Sequence, residues 1–306
     1  MYKTILISSL ISTQLFCQSL DELSDKKIRE NQTYYDFALA IQNPKVVKVL
    51  NIRQQKYTGI ADQIGMLKEL IFINAMKNQI ESISSEIGKL KKLTQFNLRE
   101  NRLNELPMTF FKLKKLNNLD LSRNIFESID YPWQKLKSLH FLRLSDNQLN
   151  TISPNVFKIA KIKEIDASKN QIFSLPNEVS NSKALLRLNL AFNKISKVEK
   201  SVFESKSLIE VNLSNNEIEI VEFSKTLNIT LTSLHLNHNK LIQLSDDIQN
   251  LQNLELISLS FNQLKELPEG FFKLKKLKTI LLNDNNFSEE TKKRVKEAYP
   301  NAFLAL

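Results

Sequence analysis

Glycine is nearly missing from this sequence, with four in 306 residues. Neither GxGxxG nor GxxxxGK followed by Ser or Thr occurs, so the loops that cradle phosphates have no material. A single cysteine, Cys17, excludes a disulfide framework, CxxC pairs and thiolate metal sites. Three histidines leave little for a His-based metal centre or a general base. Beyond the amino terminus no segment approaches the roughly 20 uninterrupted apolar residues of a bilayer span. Acidic residues are in deficit, 33 against 43 Lys and Arg, and the resulting +10 raises the question of nucleic acid or an anionic membrane as partner. Hydrophobic residues at 42% and charged residues at 25% keep the chain within the range of folded proteins. No catalytic, cofactor-binding or metal-ligating residue is assigned, and the chain reads as a non-enzyme.

The first residues read as an export signal. Met1–Tyr2–Lys3 supplies a short basic start, and an apolar stretch runs from Thr4 to Phe16. That matches the roughly 7–15 residues of a signal-peptide core. Cys17 and Ser19 are small residues spaced for cleavage after Ser19, which would remove the only cysteine. The alternatives are lipidation at Cys17, against which Phe16 is bulky, and a buried helix. A membrane enters this reading only through lipidation at Cys17.

What the chain has in abundance is repetition. Asparagine recurs at Asn78, Asn101, Asn124, Asn147, Asn170, Asn193, Asn216, Asn239, Asn262 and Asn285, nine steps of 23 residues without an insertion. Each Asn closes the same frame, LxxLxLxxNxL, as in LTQFNLRENRL, LHFLRLSDNQL and LELISLSFNQL. An apolar residue follows downstream, sometimes with proline after it, as at Leu106–Pro107, Leu175–Pro176 and Leu267–Pro268. The frame resembles that of leucine-rich repeat proteins and covers residues 47 to 287.

Elementary geometry says why these residue types recur. Alternation with period two makes a short strand that points its leucine pair inward. Equivalent strands stacked about 4.8 Å apart give one parallel sheet on the concave side. The phased Asn falls where the chain leaves the strand, and its amide can satisfy backbone groups that no sheet partner reaches, in a ladder from coil to coil. Apolar residues further on, such as Ile87 and Leu90, Phe110 and Leu113, Trp133 and Leu136, Phe271 and Leu274, close each coil from the convex side. One unit cannot bury its own face, so at least three must stack. The expected fold is an α/β solenoid: a leucine-rich repeat horseshoe with a concave parallel sheet, an irregular or 3-10 convex side and helical caps at both ends.

The ends depart from the frame as solenoid ends should, because an exposed first strand is an aggregation hazard. A degenerate unit, Val47, Leu50, Ile52, Gln55, Tyr57 and Ile60, keeps the phase with Gln55 in the Asn slot. Before it, TYYDFALAIQNP reads as a short helix with Thr33 as its cap and Asn43–Pro44 as its stop. At the other end Ser288 starts a helix with acids first and a proline terminator. The expected organisation is a signal peptide over 1–19, an N-terminal helical cap over 20–46, one degenerate and ten full repeats over 47–287, and a C-terminal cap over 288–306. Both flanks are also similar to those of the 23-residue repeat proteins of leptospires, which implies a secreted or surface-associated bacterial protein in contact with a host. Repeat seven is irregular: Lys225 occupies an apolar slot, and a bulge using Phe223 and Leu227 is the expected repair.

Charge on the concave side reads as compensated. Outward positions form columns at steps of 23, namely Asp120, Arg143, Asp166; Glu164, Arg187, Glu210; and Lys77, Glu100, Arg123, Asp146, Lys169, with opposite signs adjacent in each. Lateral ion pairs account for them, and a nucleic-acid groove would need uncompensated cations interleaved with aromatics. What remains is apolar or unpaired: Phe141, Phe192, Leu256 and Phe261, with Arg99 lying between Met76 and Ser122. Exposed Phe and unpaired Arg are the usual material of hot spots, so Arg99, Phe141, Phe192, Leu256 and Phe261 are the candidate partner-binding residues. His235 and His238 share one repeat but have no strong ligand beside them. Asn31, Asn212 and Asn228 sit in Asn-x-Ser/Thr triplets that carry no meaning in a bacterial chain. The leading reading is an exported solenoid that binds a protein, such as a host surface protein, through its concave face. The alternative is a periplasmic or envelope scaffold with a bacterial partner.

Overall fold

Residues 33–306 are described by a computed structural model. The export-signal expectation, Cys17 and Asn31 lie outside these residues. Thirteen parallel strands form one open sheet in chain order. It begins at Thr33–Tyr34 and Val49–Asn51, and continues through one strand per repeat to Thr279–Leu281 and Phe303–Ala305. Register from strand to strand advances by 23 residues, as in Asp120↔Arg143 and Arg143↔Asp166, so equivalent side chains lie directly beside one another.

The opposite wall is built of short 3-10 segments, among them Ser85–Lys89, Met108–Lys112, Trp133–Lys135 and Pro154–Lys158. Between wall and sheet every coil contributes the same inward set. Leu119 and Leu142 come from the strands, Leu121 and Leu144 from the residues that follow them, and Ile87, Phe110, Trp133 and Phe271 from the convex side, all at most 1% exposed. Aromatic rings fill part of this core: Phe111 and Trp133 meet edge to face at 5.4 Å, and the Trp133 indole N–H donates to the Ile129 carbonyl at 2.8 Å. Each coil therefore buries its apolar face only against its neighbours, which is the energetic basis of stacking.

Both ends correct the sequence reading. Thr33 does not cap the first helix but belongs to the first strand, paired with Val49. The cap of helix α1 (Phe37–Gln42) is Asp36, whose carboxylate accepts the Leu39 amide at 2.8 Å. A single helical turn, α2 (Ser201–Glu204), replaces a 3-10 segment midway. Helix α3 (Glu289–Ala298) is capped by the Ser288 hydroxyl, which accepts the Thr291 amide at 3.1 Å. Beyond it the chain returns to the sheet: Phe303–Ala305 pairs with Thr279–Leu281, a strand that the sequence frame does not announce. In repeat seven Phe223 is buried against Phe203, with ring centroids 4.8 Å apart. Leu227, however, is 62% exposed, so it does not take part in the repair. Buried Asn228 does so instead. Its amide donates to the carbonyls of Phe203 (2.8 Å) and Ser205 (3.1 Å), and its oxygen accepts the amides of Thr230 and Leu231, both at 2.9 Å.

Candidate functional site

Two features of the strand exit position everything on the concave side. The first is the asparagine column. Asn170 is representative: its Nδ2 donates to the carbonyls of Leu144 (3.0 Å) and Ala167 (3.1 Å), and its Oδ1 accepts the Leu149 amide at 3.0 Å. The Leu144 carbonyl also accepts Asn147 Nδ2, and the Ala167 carbonyl also accepts Asn193 Nδ2, each at 3.0 Å. Asparagine and carbonyl thus alternate from Asn78 to Asn285 in one continuous chain of bonds. Gln55 ends it, donating to the Tyr35 carbonyl at 2.6 Å in the cap.

The second feature is backbone handedness. The residue before every one of these asparagines has φ between 54° and 60°: Lys77, Glu100, Arg123, Asp146, Lys169, Phe192, Asn215, His238, Phe261 and Asp284. None is glycine. For a non-glycine residue the left-handed region costs about 1 kcal/mol or more, and only Asn and Asp visit it readily. Up to Asp146 these positions form a charge ladder, with Glu100 3.9 Å from Lys77 and 3.1 Å from Arg123, and Arg123 3.3 Å from Asp146. From Lys169 onward aromatic contacts take over. Lys169 Nζ lies 5.9 Å from the centre of the Phe192 ring, and His238 stacks on Phe261 at 4.1 Å with planes 8° apart.

A third column lies four residues before each asparagine; its members Asp120, Arg143 and Asp166 read in the sequence as an ion-pair ladder, but its capping role was not read there. Asn74, Asn97, Asp120, Asp166, Asn189 and Asn212 each accept the amide two residues on, with distances from 2.9 to 3.3 Å. The signal was there: Asn or Asp at the third strand position with the same step of 23. Into this column Arg143 and His235 intrude. Arg143 is 9% exposed between Asp120 and Asp166. Burial pushes the Asp166 carboxyl up, opposed by the hydroxyl and amide of Ser168 and by the Arg143 charge. In the neighbouring column Arg187 pairs with Glu164, while burial pushes Glu210 up against the pull of Arg187. Asn118 Oδ1, in the same column as Phe141, is a buried acceptor without a partner.

The candidate partner-binding residues divide in this geometry. Phe141 and Leu256 stand in strands and are half-buried. Phe192 and Phe261 are not strand residues but turn residues, 51% and 44% exposed at left-handed positions. Arg99 is not unpaired: its Nε lies 3.2 Å from Oε1 of its chain neighbour Glu100. His235 and His238 point to different places. Burial holds the His235 imidazole down at about 4, with Nε2 2.9 Å from the Ser233 hydroxyl, whereas His238 lies on Phe261. No group of three or more His, Cys, Asp or Glu among the described residues is placed to hold a metal ion.

Two family models match, both for the leucine-rich repeat, over residues 138–158 and 229–287. The chain carries leucine-rich repeats and has the leucine-rich repeat fold. Its fold is similar to that of a leucine-rich repeat protein from Leptospira interrogans, at 24% identity and a TM-score of 0.54, covering 90% of this chain and all of the other. It is similar to the functional domain of InlJ from Listeria monocytogenes, which includes a cysteine ladder. That likeness has 24% identity and a TM-score of 0.66 over 81% of this chain and 51% of that one. It is also similar to TLR13 in its complex with ssRNA13, at 26% identity and a TM-score of 0.70, covering 83% of this chain and 38% of the other. Among proteins with curated descriptions none matches. In these leucine-rich repeats, asparagine holds the ladder position from coil to coil.

Proposed function

We propose that this chain is an exported, non-enzymatic binding solenoid whose concave sheet engages another protein, such as a host surface or extracellular protein. The observation that carries the reading is the placement of Phe192 and Phe261. A left-handed turn favours Asn or Asp, as at Asn215, Asp146 and Asp284, so a bulky apolar ring there works against the fold. Both rings are nonetheless exposed on the same border of the concave face. Strained, solvent-facing aromatics are the expected material of an interface. Phe141, Leu256 and the unpartnered acceptor of Asn118 lie on the adjoining sheet, and Arg99 lies at the exit of the strand Gln95–Asn97. The export signal in the sequence and the likeness to the internalin domain and the leptospiral protein support a partner outside the cell.

The test has two parts. Fractionation and surface proteolysis of the native cell place the protein; intact protein confined to the cytoplasm, still carrying Met1, would sink the export reading. Pull-down of the purified chain from host extracellular and bacterial envelope fractions then compares the wild type with a Phe192→Asn/Phe261→Asn variant. Capture that is unchanged in the variant would overturn the concave assignment.

A further inference from the structure

The lysines that carry most of the net charge take no part in the concave face. In three successive coils the chain leaves its 3-10 segment through a Lys-Leu-Lys triplet, residues 89–91, 112–114 and 135–137. The central leucines, Leu90, Leu113 and Leu136, have φ/ψ of −78°/68°, −79°/65° and −82°/72°. In each triplet the second lysine amide donates to the first lysine carbonyl, at 2.9, 3.0 and 3.0 Å. This is an inverse γ-turn. It drives the leucine into the core, where all three are 0% exposed, and leaves both lysines in solvent. Because the repeat step never slips, these turns stack in file along the edge where the chain re-enters the sheet, about 5 Å apart. Lys92 and Lys115 widen the file, and Lys158 and Lys161 extend it by one coil.

Little of this charge is compensated. Lys89 and Lys92 pair with Glu86 and Glu69. The Lys91 ammonium donates to the Gly88 carbonyl, whereas those of Lys112, Lys114, Lys115, Lys135, Lys137 and Lys161 are exposed and have neither an ion pair nor a hydrogen bond. The Lys91 ammonium is held below its usual range by partial burial and then by Lys112 and Lys114 beside it. Elsewhere the chain alternates sign along a column; here it stacks like charges, which costs stability. The turn alone does not demand this. Met66-Leu67-Lys68 makes the same turn, with Leu67 at −83°/56° and the Lys68 amide on the Met66 carbonyl at 2.9 Å, and it has methionine where the other three have their first lysine.

We infer that the lysine edge of coils 89–161 docks electrostatically on an anionic lipid surface. The ammonium groups of Lys112, Lys114, Lys115, Lys135, Lys137 and Lys161 are exposed and unpaired along successive coils, which suits an extended array of negative headgroups. Aromatic rings that could stack bases are missing from this edge, since Phe110, Phe111 and Trp133 behind it are at most 2% exposed. Each lysine held near such a surface strengthens binding by about fivefold. This contact is independent of the concave reading and would leave that face free.

Sedimentation of the purified chain with phosphatidylcholine vesicles, with and without phosphatidylglycerol, tests it. Binding is expected only with phosphatidylglycerol, at low salt, and is abolished at high salt. A Lys112→Gln/Lys114→Gln/Lys135→Gln/Lys137→Gln variant should bind at least tenfold more weakly with an unchanged melting curve. A control variant with Lys194, Lys200, Lys225 and Lys265 changed to Gln should bind within about threefold of wild type, losing only non-specific attraction. Failure to bind the anionic vesicles, or an equal loss in both variants, would overturn the proposal. So would quantitative release from the vesicles by a single-stranded oligonucleotide or heparin at equal charge concentration, which would assign the edge to a soluble polyanion.

Discussion

Replacing Asn170 by alanine removes four hydrogen bonds from the middle of the ladder, yet they are not equivalent. The Leu144 carbonyl keeps Asn147 Nδ2 as its donor and the Ala167 carbonyl keeps Asn193 Nδ2, so neither is orphaned. The Ser168 carbonyl loses its 3.1 Å contact with Nδ2 but still accepts the Asp146 amide at 2.9 Å. The Leu149 amide has no second acceptor, and Leu149 is 0% exposed. A buried donor left without a partner costs about 1–3 kcal/mol, and this term dominates the expected loss. At Asn285 the same amide position, Leu264 N–H, is served at 3.0 Å, but Asn285 is only half-buried and water can replace it. Asn285→Ala should therefore cost under about 1 kcal/mol. Urea denaturation midpoints compare the two variants, and amide hydrogen exchange supplies a local reading that does not assume two-state unfolding of a solenoid. Exchange at Leu149 should accelerate in Asn170→Ala before exchange at coils three or more removed. Equal midpoint shifts for the two variants, or unchanged protection at Leu149, would refute the ladder account.

Phe192→Asn should raise the melting temperature slightly, because asparagine accepts the left-handed turn with about 1 kcal/mol less strain, while weakening partner binding by about 2 kcal/mol or more; a melting curve and a titration against the captured partner read both. Arg187→Glu should lower the melting temperature by placing three acids side by side at 164, 187 and 210, and the deficit should shrink as pH falls and these carboxyls protonate. His235 is held down at about 4 against an ordinary 6.5, so the unfolded chain takes up the proton first. Stability should fall as pH drops from about 6.5 to about 4, by up to about 3 kcal/mol, and urea midpoints for His235→Asn should lack this decline. Asp166 and Glu210, raised by burial, act in the opposite direction and set the residual slope of that variant.

Much of the fold was legible because its determinants are spelled in residue identity. Asn and Leu at a step of 23 name the strand, the exit and the inward face. What sequence did not disclose is held in backbone geometry or in neighbours that periodicity ignores. The left-handed turns carry Lys, Glu, Arg, Phe and His rather than glycine, so no letter marks them. That is why Phe192 and Phe261 read as strand residues. Columns at a step of 23 leave Arg99 without an acid, because its partner is Glu100, next in the chain, at the left-handed position. The terminal strands are two and three residues long and exist through pairing with their neighbours, Val49–Leu50 and Thr279–Leu281, more than through their own pattern. In repeat seven the apolar rule pointed to Leu227, whereas a polar side chain, Asn228, closes the coil with four hydrogen bonds.

The step that never slips also makes length a free variable. The ladder joins each asparagine to the carbonyl 26 residues before it and to the amide 21 residues before it, and strands pair at 23. Excising any 23 residues between equivalent points regenerates the same bonds across the new junction, with a coil fewer. Natural duplication or loss of a unit would therefore move the exposed rings of Phe192 and Phe261 toward or away from the lysine edge in increments of about 5 Å, without redesign of either. The molecule behaves as a ruler whose graduations are its asparagines.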